Sequence, residues 1–267
     1  MHVTITIFAG IIGLIVGSFL NVVILRLHAG KAFIKGRSAC PHCKHVLGPL
    51  ELVPVLSWLA LGGRCKHCHK AISVQYPLVE LATAILFAVA SLTHPFNTGA
   101  DLLELVFWLY IIGSLIVLTV YDLRWYLLPD KVLLPLIIPA VAMLIAQALI
   151  AHSFSAIMYP IAAAVLFGGA FYLLAAVSKG RWMGGGDIKL AFVMGLLLGL
   201  QRTALALFIA FDTAAIVGVV LIAIHRKKRS DLIPFGPFLV LGTLAAYYWG
   251  TPILHWYLQV SGLALPN

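Results

Sequence analysis

Residues 102–121 read LLELVFWLYIIGSLIVLTVY, a run of 20 positions that carries a single charged side chain, Glu104. A helix needs about 20 mostly apolar residues to cross the hydrocarbon core of a bilayer. The composition of the whole chain agrees with a membrane span here, because 62% of its residues are hydrophobic, 10% are charged and the mean hydropathy is +1.05. The sequence therefore predicts an all-α, polytopic membrane protein and excludes an ordinary soluble domain.

On either side of this run, the sequence contains further apolar stretches long enough to be considered as spans, eight in all. They lie near 4–25, 74–93, 102–121, 128–150, 156–178, 187–200, 203–224 and 236–258. The sixth is short, so its ends are the least well defined. The first lacks the charged start and small-residue cleavage site of a signal peptide, so we expect it to remain as an anchor. About eight transmembrane helices are predicted.

The distribution of positive charge predicts the orientation of these helices. The formal net charge of +9 would suggest nucleic acid as a partner in a soluble protein, but here we expect none. With the N-terminus outside, four connections fall on one side of the membrane: 26–73, 122–131, 179–189 and 225–235. They contain 17 of the 18 Lys and Arg residues, and only Arg202 lies elsewhere. The positive-inside rule makes that side the cytoplasm.

The chain is predicted to have three parts. Residues 1–25 form the first transmembrane helix, residues 26–73 form a small cytosolic segment rich in Cys, His and Lys, and residues 74–267 form the membrane-embedded domain. Two pairs of glycines four residues apart, Gly13 with Gly17 and Gly195 with Gly199, are a weak indication of closely packed helices.

All four cysteines of the chain lie in two CxxC pairs within the cytosolic segment. Cys40 pairs with Cys43 and Cys65 with Cys68, and the 21 residues 44–64 separate the pairs. Four thiolates at this spacing are typical of a tetrahedral structural Zn²⁺ site. A redox dithiol or a disulfide pair is the alternative, which a cytosolic location disfavours. The nearby histidines at 42, 45, 67 and 69 could substitute as ligands, although four cysteines already complete a closed site.

Three of the nine acidic residues are notable because an ionisable side chain at membrane depth is costly. Asp122 follows the third run in TVYDLRWYLLPD, Asp187 opens the sixth in MGGGDIKLA, and Asp212 lies within the seventh in IAFDTAA. The predicted topology brings Asp122 and Asp187 to the same, cytoplasmic, interface. We have no role for Asp212 beyond a buried hydrogen bond to a neighbouring helix.

Two carboxylates that share a site do not both ionise easily, so one keeps a proton while the other stays charged. Such a pair can hydrolyse a peptide bond with water, and helix polarity suggests Asp187 as the base and Asp122 as the acid. The glycines Gly184, Gly185 and Gly186 would allow unusual backbone angles and the close approach of an extended substrate. The alternative is a helix N-cap at Asp187 and a solvated Asp122.

At these residues the chain resembles the type IV prepilin peptidase family of GxGD intramembrane aspartic peptidases. Several motifs carry the resemblance, in order over nearly the whole chain: GSFLNVVILRL at 17–27, RSACPHC at 37–43, PVLSWLALGGRCKHC at 54–68, ISVQYPLVE at 72–80, DLRWYLLPD at 122–130, GGGDIKLA at 184–191 and PFGPFLVLG at 234–242.

The resemblance implies an aspartic endopeptidase of the bacterial inner membrane. It would remove the short basic leader of prepilins or pseudopilins after a Gly at the cytoplasmic face, with Asp122 and Asp187 as the catalytic pair. It also implies N-methylation of the new N-terminal residue, usually Phe, with S-adenosylmethionine, for which no residues are assigned. Glu80 is a candidate counter-charge for the leader, or the partner of a nearby Lys or Arg. The oligomeric state and the pilin system served are not predicted.

Two other functions are consistent with parts of this pattern. A transporter would use paired carboxylates to relay protons or cations, and it would need them along a path through the membrane. A non-catalytic membrane adaptor would use the cysteine segment to bind a partner, which would leave the aspartates and the adjoining glycines without a role.

Overall fold

A computed structural model of the chain describes residues 2–32, 36–94, 98–228 and 231–261. Within these ranges the secondary structure is helical, and the extended pairing is limited to two isolated antiparallel bridges, Ala39 with Val46 and Arg64 with Ala71. The predicted all-α class is confirmed.

The helices follow one another along the chain. They are α1 (His2–His28), a 3₁₀ turn (Pro49–Leu52), α2 (Leu56–Ala60), α3 (Gln75–Thr93), α4 (Gly99–Trp125), α5 (Asp130–Leu133), a second 3₁₀ turn (Leu134–Leu136), α6 (Ile137–Ala151), α7 (Ser155–Val177), α8 (Gly185–Ala223) and α9 (Gly236–Val260).

Six helical stretches of the described chain are long and apolar enough to cross a membrane: Val3–His28, Gln75–Thr93, Gly99–Trp125, Asp130–Ala151, Ser155–Val177 and Gly185–Ala223. The chain is thus a multi-pass membrane protein, as predicted. The last predicted run corresponds to α9, which is helical but is not among these six.

Helix α8 contains two of the predicted runs. Its 39 residues would span about 58 Å as a straight helix, nearly twice the thickness of a bilayer core. The backbone breaks at Gly199, where φ is 70° and ψ is −175°. The hydroxyl of Thr203 lies 2.6 Å from the Gly199 carbonyl oxygen and so supplies a donor to a carbonyl freed by the break. The sixth and seventh runs are therefore joined by a kink instead of a loop.

The chain divides into two compact units, Met1–Val117 and Leu118–Asn267, with the division inside α4. In the first unit, α1 packs closely on α3 at the two glycines noted in the sequence. A Cβ atom at Gly13 would lie 2.6 Å from the Ala84 Cα atom, and one at Gly17 would lie 2.7 Å from the Glu80 Cα atom. This pair of glycines therefore allows the contact that was predicted for it.

In the second unit, small residues again mark the contacts between helices. A Cβ atom at Gly195 of α8 would overlap the backbone of Ala164 in α7, and one at Gly242 of α9 would overlap the carbonyl group of Ala206 in α8. Gly195 therefore belongs to a helix contact, whereas its predicted companion Gly199 has open space around it and forms the kink.

We predict that Gly13→Ala lowers the stability of the protein by about 1–3 kcal/mol, because the added methyl group meets the backbone of α3. Gly10→Ala is the matched control, since its methyl group would meet its nearest neighbours at 3.9–4.0 Å, an ordinary contact. Unfolding of the purified protein in detergent measures both. Equal stability of the two variants would contradict the packing described.

Candidate active site and cysteine cluster

Asp122 lies one turn before the end of α4 and is 6% exposed. Its Oδ2 atom accepts a hydrogen bond of 2.9 Å from the backbone N–H of Gly236, the first residue of α9. A Cβ atom at Gly236 would lie 2.7 Å from that oxygen, so only a glycine lets the backbone donor reach the carboxylate undisturbed.

Asp187 is the third residue of α8 and is partly exposed. Its Oδ2 atom accepts the backbone N–H of Gly184 at 3.3 Å, and Gly184 occupies the N-cap position. The carboxylate therefore reaches back over the first turn of the helix, as the third helical residue does in a capping box. The alternative of Asp187 as the N-cap itself is wrong.

The side chain of Leu128 connects the surroundings of the two aspartates. It contacts Gly186, next to Asp187, where an added Cβ atom would lie 2.7 Å from the Leu128 Cβ atom. It also contacts Gly236, which binds Asp122, and a Cβ atom there would lie 3.1 Å from the Leu128 Cδ2 atom. The fold thus brings the two predicted residues into one site.

Ion pairs and hydrogen bonds hold the surrounding connections at the same end of this unit. The Lys189 Nζ atom lies 2.6 Å from a carboxylate oxygen of Asp130, at the start of α5. Lys227, beyond α8, donates to the Leu232 carbonyl oxygen at 3.1 Å and lies above the Tyr126 ring. Three of the four connections that were predicted to lie on one side of the membrane, 122–131, 179–189 and 225–235, are therefore in contact.

The three glycines before Asp187 differ in their surroundings. Gly186 has to be a glycine because of Leu128, whereas a Cβ atom at Gly185 would meet no neighbouring atom. Gly184 has φ −78° and ψ 152°, so the expected unusual backbone angles are not found there. Gly184 and Gly185 are exposed and leave room beside Asp187.

The position of Gly236 removes the basis for assigning acid and base from helix polarity. Asp187 lies at the N-terminus of α8, as predicted, but Asp122 lies against the N-terminus of α9 in addition to the end of its own helix. Both carboxylates therefore receive a backbone N–H at a helix start. Helix polarity alone does not distinguish their roles.

The four cysteines of the first unit converge. Their sulfur atoms all lie within 4.8 Å of one another, with Cys40 and Cys68 at 3.9 Å and Cys43 and Cys65 at 4.0 Å. Zn–S bonds of about 2.3 Å in a tetrahedron place the sulfur atoms about 3.8 Å apart. The two printed pairs are close to that spacing, and the cluster therefore suits a metal ion of that size.

The two CxxC pairs form turns with the same backbone structure. In the first, Cys40 N–H donates to the His45 carbonyl oxygen and Lys44 N–H donates to the Cys40 carbonyl oxygen; in the second, Cys65 and His69 make the corresponding bonds. The backbone N–H of Cys43 helps to lower the pKa of Cys40 to about 6. This favours the thiolate form at Cys40, one of the four positions that would bind metal.

Comparison with known proteins identifies the family to which the chain belongs. Residues 11–94 match the Bacterial Peptidase A24 N-terminal domain, and residues 109–219 match the Type IV leader peptidase family. The chain is 35% identical to the prepilin leader peptidase/N-methyltransferase of Bacillus subtilis over 254 residues, which cover 94% of this chain and 97% of that protein. The chain belongs to the type IV leader peptidase family.

Further relatives cover similar lengths. The protein of the same name from Pseudomonas aeruginosa is 33% identical over 94% of this chain and 93% of its own, and that from Legionella pneumophila is 34% identical over 93% of both. No solved structure matches the chain significantly. The cysteine cluster lies in the first matched range of the family and both aspartates lie in the second, whereas Gly236 lies beyond it.

Glu80 does not have the role suggested by the sequence. It is 5% exposed, and its Oε2 atom accepts the backbone N–H of Val55 at 2.7 Å. Val55 has φ 60°, a conformation that β-branched residues rarely adopt. The carboxylate thus holds a turn of the cysteine segment on α3 and is not available at the surface as a counter-charge.

Asp212 is exposed on α8, so the expected buried hydrogen bond is wrong. The residues one turn away on either side, Phe208 and Ile216, are 66% and 63% exposed. The carboxylate therefore lies on an outward face of the helix, away from the contacts with α7 and α9.

Sequence reasoning missed a second polar group that belongs to the family motifs. Asn21 is fully buried in α1, and its side-chain amide donates to the carbonyl oxygens of Gly17 and Tyr76 at 3.3 and 3.2 Å. It also accepts the side-chain amide of Gln75 at 3.0 Å. GSFLN and ISVQY are thus two halves of one hydrogen-bond network. A buried Asn within an apolar run was the available signal.

We predict that Glu80→Met accelerates amide exchange at Val55 at least tenfold, because a charged hydrogen bond contributes about 1.5–3 kcal/mol. Glu80→Gln keeps an oxygen acceptor in the same position and should change exchange less. Hydrogen–deuterium exchange with mass spectrometry measures both. Equal exchange at Val55 in wild type and Glu80→Met would contradict the anchoring role.

Proposed function

We propose that this protein is an intramembrane aspartic endopeptidase that removes the basic leader of prepilins or pseudopilins, cutting after Gly at the cytoplasmic membrane face. The observation that carries the proposal is the meeting of Asp122 and Asp187 around Leu128, with a backbone donor on each carboxylate. The names of the relatives, prepilin leader peptidase/N-methyltransferase, support the same substrate class.

The chemistry follows from two carboxyl groups that share one proton. The ionised carboxylate takes a proton from a water molecule, and the water oxygen attacks the carbonyl carbon of the scissile bond. The protonated carboxyl donates a hydrogen bond to the carbonyl oxygen and then gives its proton to the leaving amine as the C–N bond breaks. Because the two groups titrate together, the proton belongs to the pair.

The backbone donors orient this pair. Gly236 N–H binds one oxygen of Asp122 and Gly184 N–H binds one oxygen of Asp187, which leaves the second oxygen of each carboxylate for water and substrate. Neither donor can be lost by side-chain rotation, since both belong to the backbone of a helix start. Preorganised donors of this kind need no rearrangement during the reaction.

The substrate is expected to pass over Gly184 and Gly185, which are exposed and carry no side chain to obstruct an extended peptide. A prepilin has a basic leader in the cytoplasm followed by an apolar helix in the bilayer. A site at the ends of α4, α8 and α9 suits a bond at that boundary. The protein is proposed to lie in the bacterial inner membrane, with its N-terminus outside. The active site and the segment 26–73 would then face the cytoplasm.

The cysteine cluster is proposed to bind Zn²⁺ in a structural role. Cys40, Cys43, Cys65 and Cys68 would hold the ion, and four thiolates leave no open position for catalysis. The ion would join the two turns of a segment that is too small for its own hydrophobic core. In this division, residues 26–73 are the zinc segment and residues 74–267 the peptidase domain.

N-methylation of the new N-terminus with S-adenosylmethionine is proposed from the names of the relatives. The cavity beside α5, about 280 Å³ in volume, does not fit this cofactor, because six of its seven lining residues are apolar or glycine and Lys189, the only polar one, is paired with Asp130.

The transporter alternative is less well supported. It requires carboxylates along a path through the membrane, whereas Asp122 and Asp187 lie together at helix ends, and the exposed Asp212 points away from the helix contacts.

We predict that Asp122→Asn and Asp187→Asn each abolish prepilin cleavage, because either variant removes one partner of the proton-sharing pair. Asp212→Asn is the matched control, an acid on the same helix as Asp187 with no part in the site, and should cleave like wild type. Purified protein with a prepilin in detergent, analysed by mass spectrometry, provides the assay. Cleavage that persists in either of the first two variants would remove the pair from the mechanism.

We predict that Cys40→Ser and Cys65→Ser release the thiolate-bound zinc, about one ion per chain, that wild type keeps after a weak chelator has removed metal from any site with fewer ligands. His42→Ala, next to Cys43 but outside the four thiolates, should keep it. Metal analysis measures the content, and circular dichroism should show unchanged helix content in all variants. Wild-type protein without zinc would overturn the assignment.

A further inference from the structure

We propose that His45, Glu51 and His67 form a second divalent-metal site beside the four cysteines. One imidazole nitrogen of each histidine and one carboxylate oxygen of Glu51 all lie within 4.8 Å of one another. Nothing in the peptidase mechanism or in the Cys₄ cluster uses these three side chains.

The three residues come from different parts of the cysteine segment. His45 follows the first CxxC turn, His67 lies between the cysteines of the second, and Glu51 lies in the 3₁₀ turn Pro49–Leu52 between them. An ion bound by all three would therefore join both CxxC turns to the 3₁₀ turn between them. The ion at the four cysteines would join the two CxxC turns only.

The Glu51 carboxylate is held in position before any ion binds, and both histidines lie close to it. The Glu51 Oε2 atom accepts the backbone N–H of Gly48 at 2.8 Å, and this side chain is only 14% exposed. The His45 Nε2 atom lies 4.0 Å from the same oxygen. The imidazole rings of His45 and His67 stack with their centroids 3.5 Å apart and their planes at 34°. The two rings thus present their nitrogens side by side next to a fixed carboxylate.

The donor set indicates the class of ion. Two imidazoles and one carboxylate suit Zn²⁺ and Co²⁺, whereas Mg²⁺ and Ca²⁺ prefer oxygen ligands. Zn–N and Zn–O bonds of about 2.0–2.2 Å need ligand atoms roughly 3.4 Å apart. Small rotations of the imidazoles bring the ligand atoms to that spacing, and the His45 side chain, which is 40% exposed, has room to rotate. Three protein ligands leave a fourth position for water.

The near-equivalence of the two turns predicts a single additional site. The segments CPHCKHV (40–46) and CKHCHKA (65–71) have the same cysteine spacing and corresponding backbone bonds. Exchanging the turns maps His45 onto Lys70 and His67 onto His42. A lysine in place of an imidazole cannot complete the set, so the total is two ions per chain, one at the thiolates and one at the new site.

Cobalt titration of the metal-free, full-length protein in detergent tests the proposal, because Co²⁺ bound to thiolates absorbs strongly by charge transfer and Co²⁺ bound to nitrogen and oxygen does not. Wild type is expected to bind two equivalents, one with the thiolate band and one that adds only weak visible absorption. His45→Ala and Glu51→Gln are expected to bind one equivalent, with the thiolate band intact as evidence that the segment is folded.

Two exposed histidines of the same turns, at 42 and 69, provide the matched controls, since neither belongs to the group. His42→Ala and His69→Ala should bind two equivalents, like wild type. The proposal is overturned if wild type binds one equivalent, if His45→Ala and Glu51→Gln keep the second, or if the control variants lose it as well, which would indicate scattered binding to surface histidines. Loss of the thiolate band in Cys40→Ser would test the zinc site at the four cysteines and not the second site.

Discussion

The hydrogen bond from Gly236 N–H to Asp122 joins the end of α4 to the beginning of α9, and the proposed active site depends on it. A carboxylate that is 6% exposed needs a donor, and a backbone amide at a helix start supplies one without a side chain. Leu128 packs on the same glycine and extends the contact to Gly186, beside Asp187. The site is therefore made of helix ends, which leaves the apolar helix bodies to the lipid.

The sequence predicted those parts of the molecule that depend on short-range patterns of hydropathy and residue spacing. Apolar runs predicted the helices and CxxC spacing predicted the cysteine cluster, while the predicted topology placed Asp122 and Asp187 at the same interface. Contacts between distant residues were not predictable in this way. Gly236 is 114 residues from Asp122, and a glycine in an apolar, proline-containing stretch does not indicate which carboxylate its N–H will meet.

Two errors have the same physical origin. The sixth and seventh runs were predicted as separate helices, but the structure bends at Gly199 and continues as a helix. Glu80 was expected at the surface or beside a cation, whereas it binds the backbone of Val55, 25 residues away. In both cases a polar side chain binds a backbone group, the Gly199 carbonyl or the Val55 N–H, and residue type alone does not specify which backbone group it will meet.

The pH dependence of cleavage by the wild-type protein tests the shared proton most directly. A pair with one proton predicts a bell-shaped profile of kcat/KM, falling at low pH when both carboxyls are protonated and at high pH when neither is. Return of each sample to neutral pH before a second assay separates titration from unfolding. A profile with only one limb, reversible over the same range, would contradict catalysis by a proton-sharing pair.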